Sequence, residues 1–144
     1  MESIKEYRLS RVKTNFEKIQ IIGSRAASEY ARKFYFDDLT IYESCFIMLM
    51  NTRLSVIGYA KISQGGITGT IVDPILVAKY AIESLSKGVI LCHNHPSGGT
   101  TPSAHDHKLT ETIKNALGLF SIRLLDHIIL TEDSYYSFSD EGII

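Results

Sequence analysis

Cysteine is scarce in this sequence: Cys45 and Cys92 are the only two, and each sits in an apolar run, SCFIMLM and VILCHN. That excludes a disulfide framework, which needs more cysteines and a secreted setting, and points to buried thiols in a reducing compartment. Proline is nearly as rare, at three residues, so the hydrophobic pattern runs on with few interruptions. No stretch approaches the roughly 18 continuous apolar residues of a membrane span. The opening MESIKEYRLS holds no apolar core of signal-peptide length, so the expected location is the cytoplasm. Surplus positive charge is missing too: 15 Lys and Arg face 16 Asp and Glu, a formal net charge of -1. A domain whose main work is gripping phosphate backbones needs a concentrated basic surface.

What is present describes one folded domain. The 144 residues are 44% hydrophobic and 22% charged, enough for a real core without external staples. Residues 1–20 alternate charged and apolar side chains without clear period and read as an irregular lead-in with at most one short strand. Ser24 is a candidate N-cap for a helix to about residue 36, with Ala27, Tyr30, Ala31 and Phe34 on one side and Asp37 and Asp38 ending it. Two apolar runs around Asn51-Thr52-Arg53 predict an antiparallel hairpin. QGGITGTIVD follows, glycines and then a short strand. Asp73 before Pro74 is the cleanest helix start in the chain, and that helix should run to about residue 86 with Gly88 closing it.

A strand is expected over 89–93. Ser103 then opens a third helix, on which Leu109, Ile113, Ala116, Leu117 and Phe120 keep the 3.6-residue period. Strands over 124–130 and 135–138 close the domain. There is no repeat, low-complexity tract or dividing linker. The fold class is α/β, a mixed β-sheet flanked by helices.

The chemistry concentrates in HNHPSGGTTPSAHD, residues 93–106. His93 and His95, at a strand end, can bring two imidazoles around one point. Asp106, in the first turn of the third helix, can face back across a loop made supple by Gly98 and Gly99. Two imidazole nitrogens and a carboxylate suit zinc, and three protein ligands leave a fourth position for water. A plainer account also fits: Ser103-Ala104-His105-Asp106 outlines a capping box, with the histidines as polar loop residues. Spacing alone leaves both open, and Ser103 caps the helix under either. GGITG lacks the Gly-Lys-Ser of a phosphate loop, and a tight bend explains it.

The spacing of His93, His95, Ser103 and Asp106 resembles the JAMM motif of the JAB/MPN metalloprotease domain. HNHPSG, PSAHD, LLDHIIL and YYSFSDEG, in that order, with GTIVDP upstream, resemble its RadC branch over roughly residues 20–144. The resemblance implies a JAB/MPN-like (cytidine-deaminase-like) architecture and a catalytic Zn2+ held by His93, His95 and Asp106. It also implies Glu43, in IYESCFIMLM, as general base. Ser103 would stabilise an oxyanion or orient water through its hydroxyl or backbone amide, aided by the field of the helix terminus.

His105 and His107 fall outside the ligand pattern, and Asn94 and Ser97 would shape the loop. Asp126 and His127 would pack or support the ligands, and Cys92 should point away from His93. The implied activity is hydrolysis of a peptide or isopeptide bond in a peptide or protein conjugate that nothing here identifies. Typical RadC proteins carry an amino-terminal helix-hairpin-helix region, for which this chain leaves no room, and near-neutral charge further weakens the case for nucleic acid. Two alternatives stand beside hydrolysis: a DNA-repair accessory, and a non-catalytic zinc-stabilised interaction domain. No feature compels an oligomeric state.

Overall fold

The computed structural model describes residues 1–36, 38–66 and 70–144. In chain order the elements are α1 (Gly23–Ala31) with a 3-10 turn at Arg32–Phe34, β1 (Ser44–Met50), β2 (Val56–Gln64), α2 (Pro74–Glu83), β3 (Gly88–Asn94), α3 (Ala104–Gly118), β4 (Arg123–Leu130) and β5 (Tyr135–Ser137). The five strands form one mixed sheet in the order β2-β1-β3-β4-β5. β3 and β4 are parallel, joined by the α3 crossover, and the other neighbours are antiparallel.

β1 and β3, at the middle of the sheet, are buried along their whole length, which is why SCFIMLM and GVILCHN are continuous apolar runs rather than alternating ones. Strand alternation sends Phe46, Met48, Met50, Ile90, Cys92 and Ile128 to the face covered by α1. It sends Cys45, Ile47, Leu49, Val89 and Leu91 to the face covered by α2 and α3. Cys45 and Cys92 therefore lie on opposite faces, both buried and both free. Among the described residues no helix is long and apolar enough to cross a membrane.

The hairpin, the Asp73-Pro74 helix start and the Ser103 cap appear as the sequence predicts. Asn51 Oδ1 accepts from the N–H groups of Arg53 and Ser55, and Asp73 Oδ1 accepts from Ile75 N–H. The lead-in has no regular structure and is exposed over residues 1–15, while Phe16 and Ile19 pack half-buried on the core and the Gln20–Ser55 bridge ties down its end.

Four details differ. Ser24 caps nothing: the residue before α1 is Ile22, without a side-chain bond, and the Ser24 hydroxyl instead donates to Asp140, more than a hundred residues away. Residues 70–73 form no strand, and the rest of that expected strand, Ile67, Thr68 and Gly69, lies outside the described residues, as does Asp37. Phe120 carries the helical period past the end of α3 and is largely exposed.

Finally, α2 stops at Glu83, and Leu85, at φ +56, takes the left-handed position expected of Gly88. Gly88 is needed for a different reason. It opens β3, and a Cβ added there would lie 2.6 Å from Leu125 Cδ1. Gly88→Ala must push that half-buried side chain aside, and a loss of about 1 kcal/mol, read as a lower urea midpoint, is expected. Gly99→Ala meets nothing within 4 Å and serves as the neutral control.

Candidate metal centre

β1 enters and β3 leaves the sheet at the same end, with Cys45 paired to His93. This antiparallel register sets Glu43, one residue before β1, beside the first histidine. Glu43 is held by strand-like bonds of its own: its N–H donates to the Gly66 carbonyl at 3.3 Å, and its carbonyl accepts from Gly65 N–H at 2.8 Å. His93 points to the α3 side of the sheet. The chain then turns, with Gly98 at φ +91 and its N–H bonded to the His95 carbonyl, and brings the Gly99 carbonyl within 2.7 Å of His95 Nδ1. A carbonyl only accepts, so His95 Nδ1 carries a hydrogen and, in the neutral ring, its Nε2 is bare.

These pieces converge. His93 Nε2 and His95 Nε2 are 3.0 Å apart. Asp106 Oδ1 lies 3.4 Å from the former and Oδ2 3.5 Å from the latter, while Glu43 Oε1 is 4.0 Å from His93 Nε2. Glu43, His93 and His95 each place a donor atom within 4.8 Å of the other two, a set that can hold a metal ion. Among the described residues no Lys or Arg pairs with either carboxylate. Imidazole lone pairs and carboxylate oxygens crowded this closely repel unless a hydrogen or a metal ion lies between them. The donor types and burial fit zinc.

The titration tendencies express the same demand. Burial pushes His93 down to about 4, against the pull of Asp106. The hydrogen bond to Asp106 is the main cause raising His95. Burial alone would raise Asp106, but bonding to His95, the nearby His93 and the Ser103 cap hold it well below the usual carboxylate range. Burial raises Glu43, which favours holding a proton.

Both readings of the Ser103–Asp106 segment hold at once. Ser103 Oγ accepts from Asp106 N–H at 3.0 Å, and Asp106 Oδ2 accepts from Ser103 N–H at 2.8 Å, a complete capping box, while the same carboxylate faces the imidazoles. The Ser103 backbone amide is thus engaged and cannot serve an oxyanion. Only the hydroxyl hydrogen is left for that task. His105 and His107 are exposed and outside the cluster, and Cys92 lies on the opposite face from His93.

Three residues support the site: Asn94 does more than the sequence suggested, His127 supports a ligand as expected, and Thr110 is new. Asn94 does not merely shape the loop: fully buried, its Oδ1 accepts from Ser44 N–H at 2.8 Å, and its Nδ2 donates to the carbonyls of Leu39 and Tyr42 at 2.6 and 2.7 Å. It clamps the segment that delivers Glu43. His127 sits 2.7 Å from His93 Nδ1 and 2.7 Å from Thr110 Oγ1. Asp126, its chain neighbour, points away and binds Ser137 and Ser139 beside β5. Thr110 was missed altogether. Its only signal was a hydroxyl one helical turn after Asp106.

A five-stranded mixed sheet flanked by three helices, with an HxH pair facing the first turn of a crossover helix, is a JAB/MPN-like architecture carrying a possible metal site. The chain belongs to the RadC-like JAB domain family, which it matches over residues 21–143. It is similar to a "UPF0758 protein" of Flavobacterium johnsoniae, 48% identical over 102 residues, which are 71% of this chain and 44% of that protein. The "UPF0758 protein" of Porphyromonas gingivalis is 38% identical over 71% of this chain and 45% of its own length. That of Streptococcus sanguinis is 32% identical over 87% of this chain and 54% of its own. The chain therefore spans about half the length of the relatives it matches.

Proposed function

We propose that this domain is a zinc-dependent hydrolase of amide bonds, peptide or isopeptide, in which His93, His95 and Asp106 hold the metal. The observation that carries the reading is the approach of two Nε2 atoms to 3.0 Å with the Asp106 carboxylate across them and a second carboxylate alongside. Zinc bound there would supply a Lewis acid that brings the ionisation of water close to neutrality.

The chain's own residues supply the rest. Glu43, raised by burial, is suited to take a proton from water and return it to the leaving amine. Asn94 holds Glu43 in place through the backbone on either side of it. The Ser103 hydroxyl hydrogen is available to a developing oxyanion, while the Ser103 oxygen stays bonded to Asp106 N–H.

A second reading has its own support. The Glu43 donor atom falls within the 4.8 Å set with His93 and His95, so Glu43 could also serve as a ligand beside them and Asp106. Four protein ligands leave no position for water, and the site would then stabilise an interaction domain rather than catalyse.

Elemental analysis of purified protein beside Glu43→Gln, with assays on a panel of peptide and isopeptide substrates, separates the two. Catalysis predicts near-stoichiometric zinc in both proteins and a loss of hydrolysis of about 10²-fold or more in the variant. Loss of zinc from Glu43→Gln together with a lower unfolding midpoint supports the structural site. No zinc in either, after reconstitution, overturns both.

A further inference from the structure

His93 and Asp106 are joined away from the cluster by a closed chain of hydrogen bonds through two residues that belong to neither. Thr110 Oγ1 lies 2.7 Å from the Asp106 carbonyl and 2.7 Å from His127 Nδ1, and His127 Nε2 lies 2.7 Å from His93 Nδ1. Every ring nitrogen and oxygen in it is buried, with Thr110 3% and His127 0% exposed. Among the described residues no other side chain is hydrogen-bonded to the His127 ring.

The polarity of this chain follows from counting hydrogens. A carbonyl cannot donate, and two oxygens 2.7 Å apart with no hydrogen between them repel, so the single Thr110 hydroxyl hydrogen lies toward Asp106 O. Thr110 can then only accept from His127, which places a hydrogen on His127 Nδ1. A buried imidazole without a carboxylate partner stays neutral, because desolvation penalises its charge. Its Nε2 is therefore bare and accepts from His93 Nδ1. With that hydrogen spent, His93 Nε2 presents a lone pair to the cluster. The face of Phe138, stacked on the His127 ring at 4.6 Å and 11°, holds the ring plane.

We propose that Thr110 and His127 are positioning residues that lock His93 into its Nδ1–H tautomer, anchored on the backbone of Asp106, so that two donors of the site are preset together. The inference rests on the metal-site reading above for its consequence, though not for the tautomer itself. The supporting role expected of His127 thereby takes a defined chemical form.

The test uses the full chain and two readouts. Nitrogen-15 histidine spectra of metal-free protein report the tautomers directly, and titration with zinc against a competing chelator reports affinity. Thr110→Val keeps the shape and removes the hydroxyl. His127 should then populate its Nε2–H form, His93 should shift toward Nε2–H, and zinc affinity should fall by about 10–100-fold. Thr110→Ser should restore both readings. If Thr110→Val fails to fold, His127→Gln, whose amide oxygen can still accept from His93, should keep most of the affinity that His127→Leu loses.

An unchanged His93 tautomer in Thr110→Val overturns the proposal, as does a shifted tautomer with undiminished zinc binding. Absence of zinc binding in the wild type would sink the metal-site reading separately, and the tautomer populations would still decide the relay.

Discussion

On the proposed metal site, Asp106→Asn is expected to abolish zinc binding and keep the fold. Asp106 has two tasks that share one carboxylate: Oδ2 accepts from Ser103 N–H at 2.8 Å, and the two oxygens face His93 and His95 at 3.4 and 3.5 Å. An asparagine oxygen can still close the capping box. It brings no charge, however, and its amide hydrogens or single remaining oxygen would face the two nitrogens that the proposed site offers to zinc. Zinc affinity measured against a competing chelator should fall by more than about 100-fold, beyond the range of changes outside the ligand shell.

The unfolding midpoint of the metal-free protein should fall modestly, because the charge that His95, His93 and the helix cap hold on Asp106 is gone. Ser103→Ala is the complementary variant, expected to keep zinc and lose about 1 kcal/mol with the cap. Should Asp106→Asn bind zinc as tightly as the wild type, Asp106 would be a helix cap and nothing more.

The second large effect is expected at Asn94. Its side chain satisfies three backbone groups, the buried Ser44 N–H and the part-buried carbonyls of Leu39 and Tyr42, and Asn94→Ala orphans all of them. Each orphaned group costs about 1–3 kcal/mol, less where the loop can relax toward water, so a total near 3 kcal/mol is expected. For a domain of this size that corresponds to about 10 °C in Tm.

Asn94→Asp should be at least as damaging, because it aims a second oxygen at two carbonyls. The same clamp fixes the segment ending in Glu43, so hydrolysis should fall further than zinc content does. Calorimetry and metal analysis on the same samples check both parts. A Tm within about 3 °C of the wild type would show that the loop holds Glu43 without Asn94.

What could be read in the sequence was whatever depends on neighbours along the chain. The Asp73-Pro74 start and the Ser103-to-Asp106 box are local, because a cap bonds N–H groups only two or three residues away. The continuous apolar runs of β1 and β3 announced buried strands, and the HxH spacing announced two imidazoles at a strand end. Ser24 misled for the complementary reason: a serine at a helix start looks like a cap, but a tertiary partner, Asp140, takes its hydroxyl. Gly88 looked like a helix terminator because the Leu125 side chain that crowds it arrives 37 residues later.

By itself, then, the sequence determined the local starts and stops, the buried strands and the donors the loop can offer. Only the tertiary structure decided that Glu43 meets His93, that Asn94 clamps the segment carrying Glu43, and that His127 and Thr110 stand behind His93. Those contacts depend on the antiparallel register of β1 on β3 and the parallel register of β4 beside it. Register is set by which side chains can be buried together across the whole sheet, and no short stretch of chain carries that information.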